Sequence, residues 1–281
     1  FSILGLHPLN TDRGVKTVIR AYQPQASFIR GESCDAEFEF DFMKLGNTGF
    51  FEAILDKEYE PFFYNLIIKQ DDGNEYTLTD PYAFLPVLSD FDRHLISSGT
   101  HYELYRKLGA NLVEHQGFKG VHFAVWAPNA HAVSVVGSFN SWDGRRNQMR
   151  MLGSTGIWEI FIPNIGEGEL YRFEIHGADG NLHVKVDPLA KLSEVRPATA
   201  SITTHLDGYE WGDELYMKTH WATKVFGSPM NIYEVHAGSW RRDPANPDRF
   251  LNWDELSERL IPYLKEMGYT HVEFLPLAEH P

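Results

Sequence analysis

One module occurs twice in this chain, and that duplication fixes most of what the chain can fold into. Leu4-Gly5 recurs as Leu108-Gly109, and Tyr22-Gln23-Pro24-Gln25-Ala26 recurs as Trp126-Ala127-Pro128-Asn129-Ala130. Leu45-Gly46-Asn47-Thr48-Gly49-Phe50-Phe51-Glu52 returns as Leu152-Gly153-Ser154-Thr155-Gly156-Ile157-Trp158-Glu159. Tyr64, Asp72-Gly73-Asn74 and Asp80-Pro81 return as Tyr171, Asp179-Gly180-Asn181 and Asp187-Pro188. The offset is 104 residues for the early landmarks and 107 for the later ones, so the second copy carries three extra residues between its Pro and Leu-Gly landmarks.

Each copy is built of short alternating runs, such as Val121-His122-Phe123-Ala124-Val125-Trp126 and Tyr171-Arg172-Phe173-Glu174-Ile175, punctuated by Gly, Asn, Asp and Pro. Alternation with a period of two marks strands with one buried face, and turn residues at this density mark antiparallel neighbours. Asp72-Gly73 and Asp179-Gly180 supply the positive φ that tight hairpins require. Strands this short and even, at roughly 100 residues per copy, predict two tandem immunoglobulin-like β-sandwiches, over 1–100 and 101–206.

Beyond Leu206 the grammar changes. Residues 207–229 are polar and aromatic without periodicity, which predicts a connector lying on a surface. Over 230–281, Asn231 to His236 reads as a strand, and Thr270 to Leu277 as a largely apolar strand of the kind buried in parallel sheets. Between them Asn252 can cap a helix reciprocally with Glu255, and Trp253, Leu256, Leu260, Leu264 and Met267 follow at helical spacing. Pro262 should bend this helix and Gly268 should end it. Strand, helix and strand make one βαβ unit, which cannot bury both of its faces alone.

Composition removes several function classes. A net charge of -14 and a pI near 5.3 argue against nucleic-acid binding, which needs Lys and Arg gathered on one face. Cys34 is the only cysteine, so no disulfide forms within the chain; a reducing cytoplasm is the expected compartment and a buried, inert thiol the expected state. No run of eighteen apolar residues exists and the first residues lack a basic flank, so no membrane or secretory segment is expected. The Phe at position 1 and the abrupt stop after a strand-like run suggest that both ends are cuts. Phosphate loops, paired CxxC motifs and HExxH are absent and the 13 histidines are scattered, so neither metal nor cofactor is expected.

The residues that could carry chemistry are few. Glu234, Glu273 and Glu279 are the carboxylates near the ends of the βαβ strands, but a glycosidase needs two acids flanking one bond, and a structural role for these three is the simpler reading. No catalytic residue is assigned. In the second copy, Gly137-Ser138-Phe139-Asn140-Ser141-Trp142-Asp143-Gly144 has no counterpart in the first, although the framework around it repeats. A Trp in a polar, Gly-rich turn offers a flat face on which a sugar ring can stack, with Asn140 and Asp143 available for hydroxyls; the competing reading makes Trp142 a plug in the sandwich or its interface. Trp158, at the position of Phe51, fits core packing and is a further aromatic candidate for sugar contact.

Phe123-Ala124-Val125-Trp126-Ala127-Pro128-Asn129-Ala130, Gly137 to Asp143, Gly156-Ile157-Trp158-Glu159 and Asp187-Pro188 resemble the glycogen-binding module that precedes the barrel in branching and debranching enzymes of the α-amylase superfamily. The resemblance puts the sugar-stacking tryptophan at Trp142, places Arg172 where related modules have a glucan-contacting lysine, and places Leu182 where they have a second aromatic. Asn231-Ile232-Tyr233-Glu234-Val235-His236-Ala237-Gly238-Ser239-Trp240-Arg241-Arg242 and Tyr263 to Pro281 resemble the opening of the glycogen branching enzyme barrel, and Leu4-Gly5-Leu6-His7 with Tyr22-Gln23-Pro24 resembles the extra N-terminal module of bacterial members. The resemblance implies a mostly β chain in which 230–281 starts a truncated (β/α)8 barrel, and an enzyme that moves α-1,4-glucan segments onto 6-hydroxyls. Its catalytic Asp and Glu would follow later strands, so residues 1–281 alone should be inactive. A stand-alone glucan-binding protein, or part of a debranching or trehalose-releasing hydrolase, is the alternative. The expected partner throughout is an α-glucan, with Trp142, Asn140, Arg172 and Trp158 as the contacting side chains.

Overall fold

The computed structural model describes the chain except for residues 13, 223–226 and 278–281. Two compact units result, Phe1–Gly208 and Tyr209–Pro281.

The first unit holds both copies of the repeat. The first copy comprises β1 (Gly5–Thr11), β2 (Gly14–Tyr22), β3 (Ala26–Ser33), β4 (Glu39–Asp41), β5 (Met43–Lys44), β6 (Phe50–Ile54), β7 (Tyr64–Gln70) and β8 (Glu75–Thr79). They form two antiparallel sheets ordered β1-β2-β6-β5 and β4-β3-β7-β8. After helix α1 (Asp90–Ser97), the second copy comprises β9 (Gly109–His115), β10 (Phe118–Trp126), β11 (Ala130–Gly137), β12 (Arg150–Met151), β13 (Ile157–Pro163), β14 (Leu170–Gly177), β15 (Leu182–Lys185), β16 (Leu192–Ser193) and β17 (Ser201–Ile202). Its sheets run β12-β13-β10-β9 and β11-β14-β17-β16, with β15 also on β14. The alternating apolar positions point inward between the sheets: Ile19, Ile29, Phe51, Leu66 and Ile68 fill the first core, and Val121, Phe123, Val133, Ile160 and Phe173 the second.

The duplication reaches individual atoms. The Gln23 and Ala127 backbone N–H groups donate to the Gly49 and Gly156 carbonyls, both at 2.8 Å. Those glycines have φ of +83° and +74°, and a Cβ on either would lie within 2.8 or 2.7 Å of the Cα of Pro24 or Pro128. Only glycine fits both the dihedral and the approach, which is why the Pro and Gly landmarks travel together. The Tyr64 and Tyr171 hydroxyls, buried in their cores, donate to Asp80 and Asp187 at 2.5 Å in each case. Burial outweighs these hydrogen bonds at Asp80 and pushes its carboxyl up to about 6; Asp187 is raised for the same reason.

The copies pack on one another through an aromatic seam in which Phe84 lies 4.8 Å from Phe63, 5.2 Å from Phe118 and 5.0 Å from Phe161, centroid to centroid. Below it, Glu159 is only 1% exposed and accepts from the Val87 and Leu88 N–H groups at 3.2 and 3.1 Å and from His122 Nε2 at 2.9 Å. Burial alone would raise this carboxyl, but the His122 hydrogen bond and charge, the Leu88 amide and the Arg150 guanidinium hold it below its ordinary value. Cys34 departs from expectation. It is exposed at the end of β3, its thiol 3.7 Å from the Asn65 carboxamide, because the turn after β3 carries it out of the core. Partial burial and then the Asp35 and Glu32 carboxylates raise its pKa, so it is no better a nucleophile for being exposed.

The second unit contains α2 (Glu214–Ala222), β18 (Ile232–Val235), α3 (Ala237–Trp240), α4 (Trp253–Glu266) and β19 (His271–Phe274). Helix α2 stands where an unstructured connector was expected; its exposed Leu215, Tyr216 and Met217 are consecutive and form no stripe, so periodicity could not reveal it. β18 and β19 pair in parallel, Glu234 opposite Glu273. Asn252 Oδ1 accepts from the Glu255 N–H and the Glu255 carboxylate accepts from the Asn252 N–H, both at 2.9 Å, which fixes the start of α4. Leu256 and Leu260 pack beneath Val235, whereas Trp253 and Met267, expected on the same face, are exposed. Pro262 lies inside α4, and Gly268, at φ +75°, follows its C-cap.

Candidate functional site

Outside the shared framework, the copies diverge most between the third strand and the two-residue strand that follows it. In the first copy β4 occupies this stretch and pairs with β3. In the second, which is three residues longer here, residues 138–149 form a 3₁₀ turn (Ser138–Asn140) and an excursion that returns to β12. The pairing with the third strand is shortened here to one bridge, Ser134 opposite Gln148, flanked by hydrogen bonds from Val135 N–H to the Asn147 carbonyl at 3.2 Å and from Met149 N–H to the Val133 carbonyl at 2.8 Å, and Asn140 holds the loop beyond it. Asn140 is 2% exposed; its Oδ1 accepts from Gly137 N–H at 2.9 Å, and its Nδ2 donates to the Val135 carbonyl at 2.9 Å and to Asn147 Oδ1 at 2.8 Å. Both amide hydrogens and the carbonyl are engaged, so Asn140 holds the loop and presents nothing to a sugar hydroxyl. Gly137 is required beside it, since a Cβ there would lie 2.2 Å from the Leu170 carbonyl.

With Asn140 fixed, the next two residues turn outward. Ser141 and Trp142 both adopt left-handed backbone, at φ +58° and +59°, closed by a 3.0 Å hydrogen bond from Trp142 N–H to the Gly137 carbonyl. A non-glycine residue costs roughly 1–2 kcal/mol in that region, and two in succession have to be held by their surroundings. The result is an indole 43% exposed at the edge of the β11-β14 sheet. The Arg172 guanidinium carbon, on β14, lies 5.9 Å from the ring centroid, and this side chain is tethered by a 2.5 Å hydrogen bond to Thr199 Oγ1. Arg172 Nε is removed from solvent and makes no hydrogen bond to a described residue. Asp143 is clamped by Arg145 at 2.8 and 2.7 Å, and that hydrogen bonding holds its carboxyl below the ordinary range.

The expected set therefore divides. Trp142 and Arg172 come together on one surface. Trp158 does not join them: it is 7% exposed within the second core, its Nε1 donating to the Ala127 carbonyl at 3.1 Å, because its strand position points into the sandwich. Leu182, with Val184, is exposed on β15 beside His176 and Glu174, so that part of the surface is aliphatic. Sequence reasoning missed Arg145, whose signal was its place directly after the Trp-Asp-Gly turn. Glu234 and Glu273 are exposed partners across β18 and β19, and Glu279 lies outside the described residues. Among the described residues no cluster of three or more His, Cys, Asp or Glu side chains is placed to hold a metal, and no helix is long and apolar enough to cross a membrane.

Both copies match known protein families. Residues 1–82 match the N-terminal domain of alpha-1,4-glucan branching enzyme GlgB, and residues 107–190 match carbohydrate-binding module 48, the isoamylase N-terminal domain. Across its whole length the chain is 46% identical to the 1,4-alpha-glucan branching enzyme GlgB of Novosphingobium aromaticivorans and 45% identical to those of Mesorhizobium japonicum and of a Nostoc strain. The chain is similar along its whole length to GlgB branching enzymes. It spans 37–39% of the length of these three GlgB relatives. Among solved structures, a Klebsiella pneumoniae PulA mutant in complex with maltotriose aligns with 98% of the chain and 33% of its own, at 15% identity and a TM-score of 0.45, a likeness too low to build on.

Proposed function

We propose that this chain is the N-terminal part of an α-1,4-glucan branching enzyme: two sandwiches that engage and orient an α-glucan, followed by the first βαβ unit of a (β/α)8 barrel. The observation that carries this reading is full-chain identity to GlgB relatives, which includes the βαβ unit as well as the sandwiches. A two-stranded parallel sheet is too small to stand alone, and Ile232, Val272 and Phe274 remain exposed on it, as expected of strands whose neighbours lie elsewhere in a larger sheet. A stand-alone glucan binder has no use for such a unit, and a debranching hydrolase does not account for the GlgB match at the N-terminus.

In the longer protein the reaction is transfer of an α-1,4-glucan segment to a 6-hydroxyl, with retention through a covalent glycosyl carboxylate and a second carboxyl as acid and base. Residues 1–281 contribute binding to this reaction. On the second sandwich the Trp142 ring stacks on a glucosyl face and the Arg172 guanidinium, held beside it, donates to hydroxyls. Incubation of the chain with amylose should give no α-1,6 linkage by NMR. A chimera joining it to the remainder of the Novosphingobium relative should form branches; a folded but inactive chimera, or branching by the chain alone, would overturn the assignment.

A further inference from the structure

A cleft of about 730 Å³ opens between the two sandwiches. That volume lies in the range of small-molecule sites, roughly 300–1,000 Å³. Its first-copy wall carries Tyr22 and Phe50, ring centroids 4.7 Å apart; its second-copy wall carries Arg145, Gln148 and Met149, with the edge of Trp158 behind them. Three of these come from the same 138–149 loop that raises Trp142, so one loop serves both surfaces. The cleft is formed rather than incidental: the Gln148 N–H donates to the Tyr82 hydroxyl at 2.9 Å, tying the loop to the end of the first copy. The Gln148 side chain is left exposed.

The chemistry of the walls selects the occupant. No carboxylate lines the cleft; Arg145 is matched by Asp143 at 2.8 and 2.7 Å, and Arg150 donates to the Phe84 carbonyl at 2.7 Å while its Nε, 3.7 Å from Glu159, makes no hydrogen bond to a described residue. At Arg145, the exposed guanidinium of the cleft, an anion would compete with Asp143, whereas a neutral polyol with an apolar ring face would not. Aromatic rings beside an exposed carboxamide and methionine side chains suit a pyranose, which presents C–H groups on its faces and hydroxyls around its rim. We propose that this cleft is a second α-glucan subsite, distinct from the Trp142 surface, that holds a short stretch of the same chain type. The proposal rests on the glucan-binding reading above and extends it to the first sandwich, which contributes Tyr22 and Phe50.

The test is an NMR titration of the chain with maltoheptaose, following the Trp142 indole N–H and the Gln148 side-chain amide. Both should shift, and Trp142→Ala should leave the Gln148 response in place. Tyr22→Ala should weaken the Gln148 response about tenfold in Kd and leave Trp142 unaffected; Gln148→Ala, at an exposed side chain, should weaken binding reported by the Tyr22 backbone amide without touching the fold. A Gln148 signal that stays still while Trp142 saturates, or that vanishes in Trp142→Ala, overturns the second subsite and leaves the first. A cleft that answers to inorganic phosphate and not to maltoheptaose overturns the choice of ligand. Silence at both sites overturns the glucan-binding reading itself.

Discussion

The two sandwiches share landmarks, turns, a bulge at the start of the third strand and the Tyr–Asp pair, yet the three-residue difference gives one an edge strand and the other an exposed tryptophan. What differs is how one stretch of backbone satisfies its polar groups. In the first copy β4 closes the ladder against β3, a solution that leaves nothing protruding. In the second the ladder is shortened to the Ser134–Gln148 bridge, the Asn140 side chain bonds the backbone beyond it, and the following residues adopt left-handed backbone and project Trp142. A stable frame is thus kept constant while one local loop differs.

The frame should fail alike in both copies. Gly49→Ala and Gly156→Ala each force a Cβ against a proline backbone at positive φ, and each should cost about 2–4 kcal/mol in denaturant unfolding; a large cost in one copy only would break the equivalence. The next largest effect concerns Asp80. Its folded-state pKa of about 6 lies above its ordinary 3.8, so the fold favours the protonated form: this stability is present below pH 4 and is lost as pH rises through 6. Relative to Asp80→Asn, the wild type should lose on the order of 2–3 kcal/mol between pH 4 and pH 7, and parallel pH profiles of the two proteins would contradict this. Asn140→Ala leaves the Gly137 N–H and the Val135 carbonyl without their partner and should cost about 1–3 kcal/mol, a penalty with no counterpart in the first copy. Smallest in stability is Trp142→Gly, which relieves the left-handed strain and should leave the unfolding midpoint unchanged or slightly raised while retention on glycogen falls.

The sequence is most informative where geometry forces residue choice. Gly46, Gly73, Gly153 and Gly180 all take positive φ, and the Asn252–Glu255 pair marks the start of α4. Legibility fails where tertiary contacts decide. The strand pattern already favours core packing for Trp158, and its register bears that out, whereas Asn140, adjacent to Trp142 in sequence, reads as a sugar contact until its amide bonding shows it to be scaffold. In the sequence Glu159 is a repeat landmark, the counterpart of Glu52; in the fold it lies under Val87 and Leu88 and joins the copies, a role that needs contacts more than 70 residues away. Helix α2 was invisible because Leu215, Tyr216 and Met217 are consecutive and form no stripe. The cleft between the sandwiches has no signature within either copy, since each supplies half of it.

The claim that one loop turns a structural module into a binding module is tested by moving the loop. Residues 138–149 are replaced by 34–42, the matching stretch of the first copy, and the folded chimera is run on glycogen affinity gels beside the unaltered chain. The account predicts a cooperative unfolding transition and migration no longer retarded by glycogen; undiminished retardation in the folded chimera would contradict it.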